Sequence, residues 1–72
     1  MVFTTHARRQ MVARGVTFED VEQSIRRYDT CFPVGRSCRH YWKQIGKYRF
    51  RITLDPLGRE FIVLTVWKEL AK

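Results

Sequence analysis

A chain of 72 residues is expected to form one domain, close to the lower size at which an apolar core holds a fold without disulfides or metal, and a second domain is excluded. With 44% apolar, 14% aromatic and 29% charged residues, the composition is that of a globular protein and not of a disordered tail. Fourteen Lys and Arg against seven Asp and Glu leave a net charge of +7, so RNA, DNA or an acidic protein is the expected class of partner.

The elements follow in chain order. Met1 to Thr5 is too short for a signal peptide. Thr4 or Thr5 is a reasonable N-cap for a first helix from His6 to Arg14, with Ala7, Met11 and Val12 at helical spacing. Gly15 supplies the left-handed residue that ends it. Thr17 caps a second helix running to about Arg27, with Asp20 at the capping-box position and Glu19 favourable to the helix dipole. Its apolar stripe is Phe18, Val21, Ile25 and Tyr28.

After Asp29 the hydrophobic period changes to two. "TCFPV" is a short strand weakened by Pro33, hence an edge or an irregular lead-in. "SCRHYWKQI" is a better strand, and Gly46-Lys47 marks a tight turn into "YRFRITL". That segment alternates cleanly, with Tyr48, Phe50, Ile52 and Leu54 on one face and Arg49, Arg51 and Thr53 on the other. "DPLG" reads as a turn, "REFIVLTVW" as a near-continuous apolar closing strand, and Lys68 to Lys72 as a short tail. The expected fold is therefore α+β, with two N-terminal helices on one face of a three- to four-stranded antiparallel sheet.

Cys31 and Cys38 flank a turn-like "PVGR" at a spacing that suits neither a redox motif nor a zinc pair, so they are expected to be free thiols. No metal site and no cofactor are expected. No segment reaches the ~20 apolar residues of a membrane span, which makes the cytoplasm the expected compartment. Charge is unevenly spread. Four of the seven acids lie between Glu19 and Asp29, whereas Thr30 to Leu54 carries Arg36, Arg39, Lys43, Lys47, Arg49 and Arg51 and no acid at all.

His6-Ala7, Met11, Arg14-Gly15-Val16-Thr17, the "EDV" at 19 to 21, the basic alternating strand and the final "IVLTVW" together resemble the domain-of-unknown-function 4258 family. Members of that family typically open "HAxxRMxxRGI(S/T)xxDV", and the likeness runs from about Phe3 to Trp67. The family is similar to the small RelE/ParE- and BrnT-type toxins of bacterial toxin–antitoxin modules, most of which are ribonucleases and some of which act on gyrase. The resemblance implies a fold of that type, RNA as substrate and a protein antitoxin as partner. Gln10 departs from the pattern, which has arginine there. If that arginine acts in catalysis, the departure removes it; if it pairs with a carboxylate of the second helix, Gln10 replaces it by hydrogen bonding.

Metal-free RNA cleavage needs a base for the 2′-hydroxyl, donors for the charge that grows on phosphorus, and an acid for the leaving 5′ oxygen. His6 is the best proton-transfer candidate, since an imidazole titrates near ~6.5. Arg49 and Arg51, two apart on a strand, are the best phosphate clamps, and His40 or Tyr41 is a second proton donor. Arg9, on a polar helix face with His6, Gln10 and Ala13, joins Lys43 and Lys47 as a candidate substrate contact. Each residue also has a plain structural role open to it: a capping imidazole for His6, solvated charge for the arginines, and an end cap or an ion pair with Glu19 or Asp20 for Arg14. Trp42 and Trp67 either stack on bases or fill the core. Three functions stay open: a metal-independent ribonuclease toxin, a non-catalytic RNA- or DNA-binding module, and a protein-interaction domain.

Overall fold

The computed structural model describes residues 1–55 and 61–71. Its elements are β1 (Val2–Phe3), α1 (Thr5–Arg14), α2 (Phe18–Arg26), β2 (Thr30–Val34), β3 (Cys38–Ile45), β4 (Tyr48–Asp55) and β5 (Ile62–Leu70). The expected "DPLG" turn, together with Arg59 and Glu60, lies largely outside the described residues.

Local chemistry sets the helix ends. Extended Thr4 accepts a bond from the Ala7 N–H through Oγ1 at 3.1 Å, which starts α1 one residue earlier than His6. Gly15 sits at φ 65°, and the N–H groups of Gly15 and Val16 return to the carbonyls of Val12 and Met11, closing the helix as a Schellman motif. Thr17 and Asp20 then exchange two 3.1 Å bonds as a full capping box. Helix α2 lies on the sheet through Val21, Ser24 and Ile25, and the Ser24 hydroxyl donates to the Asp20 carbonyl at 2.7 Å, which satisfies it inside the core. Phe18 and Tyr28, expected in the buried stripe, are instead exposed. Their rings stand edge-on to Phe3 and Tyr41, at 5.0 and 5.3 Å.

The sheet order is β1-β5-β4-β3-β2. Strands β2 to β5 form the expected antiparallel meander. Strand β1 adds a fifth strand, parallel to β5 through Val2–Ile62 and Phe3–Val63, so the sheet is mixed and not a three- to four-stranded antiparallel one. Two residues carry no readable alternation, and their partners lie near the other end of the chain. A second correction concerns Lys68 to Leu70. Instead of starting a tail, they continue β5 and pair with Tyr48 to Phe50.

The core joins Ala7 and Met11 of α1, Val16, Val21 of α2, Ile52 of β4, and Val63 and Val66 of β5. Both helices therefore cover one face of the sheet, as the α+β reading requires. Cys31 is opposite Tyr41 and Cys38 opposite Val34, which puts the two free thiols on opposite faces.

Beyond β1, helix α1 itself covers the edge of β5. The Thr4 N–H and hydroxyl donate to the carbonyls of Val63 and Leu64 at 3.1 and 3.3 Å, and Lys68 Nζ reaches the Gly15 carbonyl at 3.4 Å. Between them, Gln10 Oε1 accepts from the Val66 N–H at 2.7 Å. Gln10 thus leaves the polar face expected for it and substitutes for a strand neighbour; it pairs with no carboxylate of α2. Gln10→Ala leaves that amide without a partner and is expected to lower stability by about 1–2 kcal/mol. Gln10→Glu, which keeps an acceptor, should lose less. Urea denaturation of the three proteins checks this, and an unchanged midpoint for Gln10→Ala contradicts it.

Candidate functional site

Register determines which side chains share the face without helices. The two-residue turn at Gly46-Lys47 pairs Ile45 with Tyr48, and counting back along the hairpin brings Trp42 opposite Arg51 and Gln44 opposite Arg49. On the next strand, Trp67 is opposite Arg51 and Glu69 opposite Arg49. Opposed residues of an antiparallel pair point the same way. A row Trp42–Arg51–Trp67 therefore crosses β3, β4 and β5, with the indoles about 10 Å apart at two strand spacings.

The side chains in this row interlock. The Arg49 guanidinium carbon lies 4.9 Å and that of Arg51 5.7 Å from the Trp42 ring centre. Arg51 is also 6.0 Å from Trp67, and Arg14, from the end of α1, is 4.7 Å from it. Arg14, Trp67, Arg51, Trp42 and Arg49 thus form an unbroken alternation of guanidinium and indole. Neither tryptophan belongs to the core, and Trp67 is 37% exposed. Arg14 forms no ion pair with Glu19 or Asp20; its guanidinium lies over Trp67 instead.

One carboxylate enters the row. Glu69 Oε1 accepts from Arg49 Nη2 at 3.2 Å and from the Trp67 indole N–H at 3.3 Å. The bond from Arg49, then that from Trp67 and the nearby positive charge, hold its carboxyl below the usual value. Next along the face, His40 Nδ1 lies 2.8 Å from Thr53 Oγ1, with the Phe32 ring edge-on at 5.6 Å. Partial burial, and secondly the Arg51 charge, push the His40 imidazole below its ordinary value. Its neutral form is favoured at neutral pH.

Of the eight site residues expected from sequence, this face gathers Arg49, Arg51 and His40. His6 and Arg9 are exposed on α1, which packs on the other face, so the structure does not bring His6 to the two arginines. Tyr41 points to the helix side, packed against the core, where burial and neighbouring Cys31 raise its phenol. Lys43 shares the Phe50 side of β3, and its Nζ meets Asp29 Oδ1 at 3.2 Å. The same carboxylate accepts from the Gln44 N–H at 2.8 Å, and this bond, followed by Lys43, lowers its affinity for protons. Lys47 lies in the hairpin turn, 5.5 Å from the Tyr48 ring.

Among the described residues no group of three or more His, Cys, Asp or Glu is placed to hold a metal. No helix among them is long and apolar enough to cross a membrane. Comparison with protein-family models, curated proteins and solved structures found no match. What the molecule presents is a class of surface: a basic, aromatic sheet face on a small α+β domain.

The lowered His40 value has a measurable consequence. As pH falls below about 6.5, the unfolded chain takes up a proton at this residue before the folded one does, so stability decreases down to the folded value and then levels off. His40→Gln is expected to reduce the loss of denaturation midpoint between about pH 7.5 and 5.5. An identical pH slope in both proteins contradicts the assignment.

Proposed function

We propose that this chain binds single-stranded RNA across the helix-free face of its sheet and cleaves it without a metal, as a small ribonuclease toxin does. The observation that carries the reading is the alternating row of three guanidiniums and two indoles. A guanidinium held over an indole still has N–H donors with which to grip a phosphate, while the indoles offer platforms for bases. The likeness of the opening residues to the domain-of-unknown-function 4258 family supports the toxin part, including a RelE/BrnT-like fold, a cytoplasmic setting and inhibition by a protein antitoxin.

In this reading His40, and not His6, is the proton-transfer residue, because His40 shares the face with Arg51. Its Nδ1 is engaged by Thr53, so exchange with substrate runs through Nε2. The neutral imidazole removes the 2′-hydroxyl proton, the 2′ oxygen attacks phosphorus, and Arg49 and Arg51 hold the added negative charge. The bond to the 5′ oxygen breaks, and the imidazolium returns its proton to that leaving oxygen. The products are a 2′,3′-cyclic phosphate and a 5′-hydroxyl end. A second reading, binding without cleavage, is favoured by the partial burial of His40 under Phe32.

Binding and cleavage of a labelled 12-nucleotide RNA separate the two. Trp42→Ala and Trp67→Ala should each weaken binding about tenfold, within the ~1–3 kcal/mol that one stacked base contributes. Arg49→Ala and Arg51→Ala should each reduce the slope of log affinity against log salt by about one. His6→Ala should leave affinity within about twofold. His40→Ala should bind the RNA but not cut it; intact RNA with the wild type selects the non-catalytic reading. Wild-type affinity in all four sheet-face variants overturns the site altogether.

A further inference from the structure

A second surface lies on the opposite side of the molecule. Arg8, Met11 and Val12 of α1, with Val16, Thr17 and Phe18 at the start of α2, line an open groove of about 520 Å³. It adjoins a shallower depression that runs over Arg9 and Ala13 along the outer side of α1. Val12 is 86% and Phe18 63% exposed. Surface aliphatic and aromatic residues this bare, side by side in a concave site, mark an interaction surface more often than a solvated one.

We infer that this groove docks an amphipathic helix of an acidic partner protein. The apolar floor suits the hydrophobic stripe of a helix, which repeats at three and four residues. The rim sets the sign of the partner's charge. Arg8 and Arg9 are exposed beside the groove, neither forms an ion pair among the described residues, and α1 carries no acid of its own. Carboxylates flanking the partner's stripe would meet them. A second copy of this chain fits less well, since pairing α1 with α1 across a two-fold axis brings the same arginines together, and each copy carries +7. RNA fits less well still, because most of the lining is hydrocarbon. The groove shares none of its lining with the Trp42–Arg51–Trp67 row. The helix and an RNA can therefore be held together, and this partner does not act by covering the RNA face.

The probe is a designed 18-residue peptide with leucines at helical a and d spacing and glutamates elsewhere, compared with a lysine version and a scrambled acidic version. Binding is followed by fluorescence anisotropy at physiological salt and by NMR shifts of the full chain. The acidic helical peptide is expected to shift Val12 and Phe18, with affinity falling at least tenfold in Val12→Asp and in Arg8→Glu. RNA affinity of Val12→Asp should stay within about threefold of wild type, and the peptide should bind a preformed RNA complex. Equal binding of the lysine or scrambled peptide, shifts confined to the sheet face, or competition with RNA overturns the proposal. So does a dimer in sedimentation that Val12→Asp dissociates, which would make a second copy the occupant. Absence of RNA binding would sink the RNA reading alone, because the peptide result is read from the other face.

Discussion

Strand β4 is the middle strand of the sheet, and the alternation of its side chains divides the molecule. Phe50, Ile52 and Leu54 are buried, and Arg49 and Arg51 emerge on the other side. Burial of each of those apolar side chains is worth roughly 1.5–3 kcal/mol, so a register slip by one residue, which would exchange the two sets, is strongly disfavoured. The helices have one face on which to pack. The other face is left to charge, and the neighbours that β3 and β5 supply across from Arg51 are both tryptophans.

Concentrating three arginines on one side of a small sheet carries electrostatic repulsion, and the structure offsets it in two ways. The indoles separate the guanidiniums, each contact contributing about 0.5–1 kcal/mol at an exposed site. Glu69 binds the end of the row through Arg49 and the Trp67 indole. Contact with the indoles also restrains the guanidiniums before any ligand arrives, which reduces the entropy lost on binding. The outer edge of β5 is handled separately. Helix α1 covers it with Thr4 and Gln10, and this ties the helix containing His6 to the sheet without bringing His6 round to the charged face.

The helices were readable because their signals are local: a threonine cap, a capping box, a glycine at the helix end. The arginine face of β4 was readable because period-two alternation needs no partner. Strand β1 was not, for two residues have no period and its pairing spans nearly the whole chain. Trp42 opposite Arg51 was in fact derivable from the Gly46-Lys47 turn, which fixes the hairpin register. Trp67 was not, because the β4–β5 pairing shifts between Thr53 and Leu54 and the tryptophan lies beyond that shift. The same gap separated Arg14 from its true neighbour. Sequence offers it a helix-end cap or an ion pair with an adjacent acid, whereas the fold brings it to an indole more than fifty residues on.

The stretch His6 to Thr17 likewise changes meaning once folded. Its conspicuous arginines divide between two surfaces, Arg14 to the indole row and Arg8 and Arg9 to the groove on α1. Gln10, the departure from the family pattern, becomes a structural acceptor for β5. The central claim is that RNA meets the sheet at the two indoles, and their N–H signals are resolved probes of it. Titration of a short single-stranded RNA, followed by NMR, is expected to move the Trp42 and Trp67 indole signals together and to leave the amides of His6 and Arg9 in place. Shifts confined to α1, with both indole signals unmoved at saturating RNA, would contradict the account.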